Sequence, residues 1–149
     1  MKQSQAIREA NANNNISSLM FFHIPILEYA RALVDPNIEK IGHAFETPCT
    51  PHINSGLFTA LMEENSVRAT FVGHDHKNDY CADLNGINLC YGGGIGYTCY
   101  GMKGFARRVR IIEIESYGST ISTYKRLDNR EEKYPIIDKQ VLWQNLEKE

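Results

Sequence analysis

The chain predicts a mixed α/β sandwich, and three observations predict it. Two apolar runs, "LMFFH" at 19–23 and "VRATFVG" at 67–73, read as buried strands, with a helical pattern between them. An Asn85-Gly86 dipeptide sits midway along an alternating stretch, the signature of a tight hairpin. Two more alternating stretches, "RVRIIEIE" and "STISTYKRL", flank Tyr117-Gly118. Strand, helix, strand implies a parallel crossover, and hairpins imply antiparallel pairing, so the sheet is mixed.

The elements follow in order. Residues 1–18 read as a polar helix running into an Asn-rich linker. After the first strand, "IPILEYARALVDPNIEKIGHAFETPCTPH" carries four of the five prolines and reads as one long irregular loop. "NSGLFTALMEEN" reads as a helix capped by Asn54 or Ser55 and ended by Asn65, with Leu57, Phe58, Leu61 and Met62 as its apolar stripe.

Counting outward from Asn85-Gly86 pairs Leu84 with Ile87 and Cys81 with Cys90. One face then carries Tyr80, Ala82, Leu84, Ile87, Leu89 and Tyr91. The cysteines fall at a non-hydrogen-bonded position, close enough to bridge. They are either a disulfide or two free thiols, and the redox compartment decides.

"GGGIGYTCYGMK" resembles a phosphate loop only superficially: Met102 stands where the lysine is needed, and a strand follows rather than a helix. Glycines that let backbone pass close to a neighbouring site explain it better. In "FARRVR", alternation puts Arg108 and Arg110 on one face and Val109 and Ile111 on the other, read as a solvated strand face. The tail from Glu131 adds a short strand or helix. A parallel part of only two strands makes an incomplete sheet, so the chain reads as part of a domain.

Composition excludes some partners. The formal net charge is −2, with 16 basic and 18 acidic residues in 149, which gives no footprint for nucleic acid or an anionic membrane. No stretch approaches the roughly 18 unbroken apolar residues of a membrane span. The first residues have no apolar core of the signal-peptide kind, and no compartment is assigned.

The chemistry-bearing residues are histidines. His23 ends one predicted parallel strand, and His74 and His76 follow the other. Ligands of α/β sheets sit beyond the carboxyl ends of the strands. If the strands are neighbours, the three imidazoles share one rim. In an extended segment His74 and His76 face one side and Asp75 the other. Three histidines suit one zinc ion with an open position, or half of a two-metal site; a bland surface pair is the competing reading.

Asp75, Asn78 and Asp79 read as loop-structuring groups or as hydrogen-bond partners of the ligand imidazoles. Glu28 and Tyr29 stand where they would line a substrate mouth, or form a plain surface pair. His43 and His52 lie in the long loop without supporting spacing.

Beyond these features, "FFHIPILEY", Gly42, Glu46, "NSGLFTAL", "ATFVGHDHKNDY", "GINLCYGGGIGY" and "ARRVRIIEI" form a pattern that resembles the calcineurin-like metallophosphoesterases, in their purple acid phosphatase-like branch. The resemblance covers about residues 17–127. It implies one partial phosphoesterase domain over 1–149, the C-terminal half of an α/β sandwich that hydrolyses phosphate esters at a dinuclear centre of iron, zinc or manganese. It implies that His23 and His74 ligate one metal and His76 the other. The family's earlier motifs, Asp-x-His, Gly-Asp and Gly-Asn-His, are absent: the sequence has no Gly-Asp, Gly-Asn or Asn-His. The resemblance therefore implies an isolated chain that holds at most one metal weakly and is inactive, or a truncated product acting, if at all, as a binding module. No catalytic side chain beyond the metal ligands is implied with certainty.

Overall fold

A computed structural model describes residues 6, 7, 9, 10 and 17–145. The expected polar helix and linker lie largely outside the described residues. The elements run β1 (Ser18–Phe21), α1 (Leu27–Val34), β2 (Lys40–Ile41), α2 (Leu57–Glu64), β3 (Val67–Val72), β4 (Cys81–Leu84), β5 (Ile87–Tyr91), β6 (Arg108–Glu115), a 3-10 turn (Ser116–Gly118), β7 (Thr120–Leu127) and β8 (Ile136–Gln144). A mixed five-stranded sheet has the order β1-β3-β5-β4-β2, and an antiparallel three-stranded sheet has the order β6-β7-β8. Among the described residues, no helix is long and apolar enough to cross a membrane.

Three strands are parallel, not two. β1 pairs with β3, and β5 adds to the other side of β3, also parallel. The hairpin is thus built into the parallel sheet through its second strand. Parallel strands need cover on both faces. Tyr29 and Ala32 of α1 and Phe58 and Leu61 of α2 cover one face, against Tyr80, Leu84, Leu89 and Tyr91. Ile121 and Leu142 of the second sheet cover the other, against Ala69, Phe71 and the two cysteines.

The long first connection is not irregular throughout. It contains α1 and β2. Pro25 and Pro36 lie just outside the two ends of α1, so they punctuate an eight-residue helix. Tyr29 is fully buried, which removes it from any substrate mouth. Its hydroxyl bonds Thr70 Oγ1 at 2.8 Å and donates toward the Thr70 carbonyl, locking α1 to β3. Burial pushes its phenol well above the ordinary tyrosine range. At α2 the cap differs from expectation: Gly56 is the N-cap, and Asn54 Oδ1 accepts its N–H at 2.8 Å. Asn65 ends the helix in the left-handed region as expected. The tail forms β8.

The hairpin follows the sequence. Asn85 (φ 53°) and Gly86 (φ 81°) make the turn, and Cys81 pairs with Cys90. Those two cysteines are bridged. Closing a loop of about ten residues stabilises by about 2.7 kcal/mol on a chain-entropy estimate. The double variant Cys81→Ser/Cys90→Ser should lose about that much in urea unfolding. A loss under about 0.5 kcal/mol would show that turn and ladder alone hold the hairpin.

The face assignment of β6 is the main correction. Arg108 is only 4% exposed, whereas Val109 is 36% exposed. Arg108 and Arg110 point inward, toward Asp79 at the start of the hairpin. Asp79 Oδ2 accepts from Arg108 Nη1 and lies 2.8 Å from Lys125 Nζ, while its backbone carbonyl accepts Arg110 Nη2 at 2.7 Å. Lys125 is fully buried and also pairs with Asp138. One carboxylate therefore ties β6 and β7 to the first sheet. Gly42 (φ 115°) makes room for this: a Cβ there would lie 2.7 Å from the Asp79 carbonyl oxygen. Burial lowers Arg110 to about 10, which leaves it charged at neutral pH.

Burial pushes the Asp79 carboxyl up, but Lys125, the His43 amide and Arg108 outweigh that and hold it below the ordinary carboxylate range. A carboxyl whose folded pKa lies below its unfolded value of about 3.9 stabilises the fold above that value. Its contribution is lost as pH falls through the folded value. Thermal unfolding followed from pH 7 to 2 should show stability dropping below about pH 4, with a flatter profile for Asp79→Asn. An equally steep profile in that variant would place the acid lability elsewhere.

Candidate metal centre

The β1–β3 ladder continues past the strand ends. Phe22 N–H donates to the Phe71 carbonyl at 3.1 Å, and Gly73 N–H to the His23 carbonyl at 3.2 Å. That register sets His23 beside His74. Their rings meet edge to face, with His23 Nε2 and His74 Nδ1 3.3 Å apart. Two nitrogens about 2.05 Å from one ion at a tetrahedral angle stand about 3.3 Å apart, so the pair fits one metal.

His76 is placed differently from the alternation argument. His74 has φ 69°, so the segment turns rather than extends. A left-handed conformation in a non-glycine residue is strained, and such strain concentrates at functional sites. The 73–76 turn is closed by Asp75 N–H donating to the Gly73 carbonyl at 2.8 Å. His76 does not gather with His23 and His74 in a single three-ligand cluster. Its ring stacks on Tyr100 at 4.2 Å between centroids and 11° between planes. Its Nδ1 lies 3.1 Å from the Tyr100 carbonyl. A carbonyl only accepts, so Nδ1 carries the proton and Nε2 keeps its lone pair, the tautomer a metal ligand needs. Gly94 packs beneath: a Cβ there would sit 3.1 Å from the His76 carbonyl oxygen and 3.2 Å from its Cβ. This bears out the reading of the glycines as room for close backbone passage.

The neighbouring polar residues build the loop. Asp75 is buried; its Oδ2 accepts from the Tyr91 hydroxyl at 2.7 Å and the Cys49 amide at 3.1 Å. Burial and the Asp75 carboxylate push the Tyr91 phenol far up. Asn78 Oδ1 accepts from the Phe45 and Glu46 amides, and its Nδ2 donates to the Glu46 carbonyl. Asp79 Oδ1 accepts from the His43 amide. All three hold the 43–49 segment against the histidine turn. Sequence reasoning gave no role to Tyr100, which lies in the glycine-rich stretch without any periodic signal.

Among the described residues, one group of three metal-type ligands lies within 4.8 Å: His43, Asp79 and Asp138. Its chemistry does not suit an ion. The two carboxylates are already paired with Arg108 and Lys125. A divalent ion there would leave two positive charges uncompensated in the interior. His52 is exposed in the loop before α2.

A cleft of about 520 Å³ opens beside His23, lined by Phe21, Phe71, Ile95 and Val109. Phe21 is 62% exposed on β1, the edge strand of the sheet.

"Probable inactive purple acid phosphatase 14" of Arabidopsis thaliana is 46% identical over 140 residues, 88% of this chain and 34% of the relative. The chain belongs with the purple acid phosphatase-like proteins. "Probable inactive purple acid phosphatase 29" of the same plant is 41% identical over 152 residues, 93% of this chain and 38% of that protein. "Phosphatase DCR2" of Saccharomyces cerevisiae is 42% identical over 120 residues, 74% of this chain and 21% of the yeast protein. The purple acid phosphatase-like chain thus spans little more than a third of its plant relatives. No protein-family model matches it, and no solved structure matches it.

Proposed function

We propose that this chain is the histidine-bearing, C-terminal part of a metal-dependent phosphate-ester hydrolase. His23 and His74 hold one ion, and His76 holds a second in the complete enzyme. The observation that carries the reading is the 3.3 Å approach of His23 Nε2 and His74 Nδ1 at the sheet rim. An iron, zinc or manganese ion held there by His23 and His74 would supply Lewis-acid charge for the phosphate and for activating water. The chain's own residues orient the ligands: the β1–β3 register sets the His23–His74 pair, and the Tyr100 carbonyl fixes the tautomer of His76.

Three neutral imidazoles bring no negative charge to offset two cations. The carboxylates that do so come from motifs this sequence lacks. The chain alone therefore holds at most one ion, weakly, and phosphate monoesters are substrates of the complete enzyme. A second reading, a catalytically inactive product serving as a binding module, draws support from the plant relatives' names, which call them probably inactive.

Zinc binding followed by calorimetry tests the first reading. His23→Ala and His74→Ala should each weaken binding by more than about tenfold, while His52→Ala leaves it unchanged. Equal affinity across all four proteins would remove the His23–His74 ion.

A further inference from the structure

Tyr100 joins the histidine turn to Glu46. Its hydroxyl donates to Glu46 Oε1 at 2.9 Å and accepts the His76 N–H at 2.9 Å. Glu46 is itself held. Its Oε1 also accepts the Lys77 amide at 2.7 Å, its Oε2 lies 3.5 Å from Lys77 Nζ, and Asn78 pins its backbone on both sides. The Tyr100 carbonyl takes His76 Nδ1 and, at 2.9 Å, Arg107 Nη1; Arg107 Nη2 donates to the Cys99 carbonyl. Ring and carbonyl of one residue thus hold the imidazole, and its hydroxyl holds the backbone N–H of the same histidine.

We infer that Tyr100, tied to Glu46, is a positioning residue for His76. It keeps the imidazole with Nδ1–H on its own carbonyl and Nε2 free for a metal ion. The inference rests on the metal reading of His76 proposed above. Tyr100 is 48% exposed, so a fold role does not explain the arrangement. A half-exposed tyrosine on a loop contributes little to a core, yet its hydroxyl and its carbonyl are both committed at or next to the histidine turn. Groups that orient a metal-ligating histidine cost about 10–100-fold in affinity when removed.

The test has two arms. Metal-free protein at pH 8, above the ordinary imidazole pKa of about 6.5, is examined by long-range proton–nitrogen NMR, which reports the protonated nitrogen of each ring. Wild type should show His76 as the Nδ1–H tautomer. Tyr100→Ala should show a tautomer mixture at His76, with His43 and His52 unmoved.

The same spectrum reads the joint. Tyr100→Phe and Glu46→Ala should each lower the His76 Nδ1–H population, with no further loss in the double variant, because both act through one joint. Glu46→Gln, whose amide oxygen accepts the same bonds, should restore the wild-type population. An unchanged His76 tautomer in Tyr100→Ala overturns the inference. So does an equal tautomer change at His23, His74 and His76, which is what general loosening produces. Zinc added alone to wild type tests the metal reading separately: if it shifts neither His23 nor His74, that reading fails, while the tautomer arm still decides the brace. Should Tyr100→Ala fail to fold, an unchanged His76 spectrum in Tyr100→Phe overturns it.

Discussion

Asp79→Ala should cost 3–5 kcal/mol of folding stability, the range for breaking a buried ion pair from one side. The substitution leaves Arg108 and Lys125 buried, at 4% and 0% exposure, without their shared carboxylate. Lys125 keeps Asp138, and Arg108 keeps its bonds to the Ala106 carbonyl and its place over the Phe105 ring. These contacts do not replace the lost charge. The His43 amide also loses its acceptor. Net stabilities of domains run to about 5–15 kcal/mol, so the variant sits near the unfolding threshold. Asp79→Asn should cost less, since the amide oxygen still accepts from His43. Adding Arg108→Met to Asp79→Ala should recover part of the loss by removing the buried cation left without a carboxylate. Urea unfolding measures all four proteins. A loss below about 1 kcal/mol for Asp79→Ala would mean that the two sheets are held together mainly by Ile121 and Leu142 against Phe71, not by the ion network.

The second large effect concerns turnover. Supplied with zinc, manganese or iron, the purified chain should hydrolyse a generic aryl phosphate more slowly than about 1 per second, below the usual enzyme range of about 1–1000. Clamping a phosphate between two cations requires both ions to be held, and neutral imidazoles do not offset their mutual repulsion. Among the described residues, no carboxylate gathers with two of the rim histidines; the one mixed cluster lies around Asp79, filled by arginine and lysine. Enzyme-like turnover abolished by His74→Ala would contradict this. It would show that the absent carboxylates are dispensable.

Local chemistry was the most legible part of the sequence. Asn85-Gly86 fixed the hairpin register because both residues tolerate positive φ, and the register in turn set Cys81 opposite Cys90. His23 and His74 were brought together correctly by the position of each at a strand end. Features that depend on distant partners were not legible. Alternation separates Arg108 from Val109, but only Asp79, 29 residues earlier, decides which face turns inward. Pro25 and Pro36 looked like loop residues because their role as punctuation is visible only once Tyr29 docks on Thr70. The i, i+2 argument for His74 and His76 assumed extended backbone, and the left-handed His74 breaks it. Tyr100 carries no periodic or spacing signal, so its stacking on His76 emerges only from the folded path of the glycine-rich loop.

The most direct test of the metal centre is a crystal of the chain soaked in zinc and measured at the zinc absorption edge. An anomalous peak should lie between His23 Nε2 and His74 Nδ1, about 2.0–2.1 Å from each. A peak at His43 or His52 with none at the rim, or no peak at all at saturating zinc, would contradict the account.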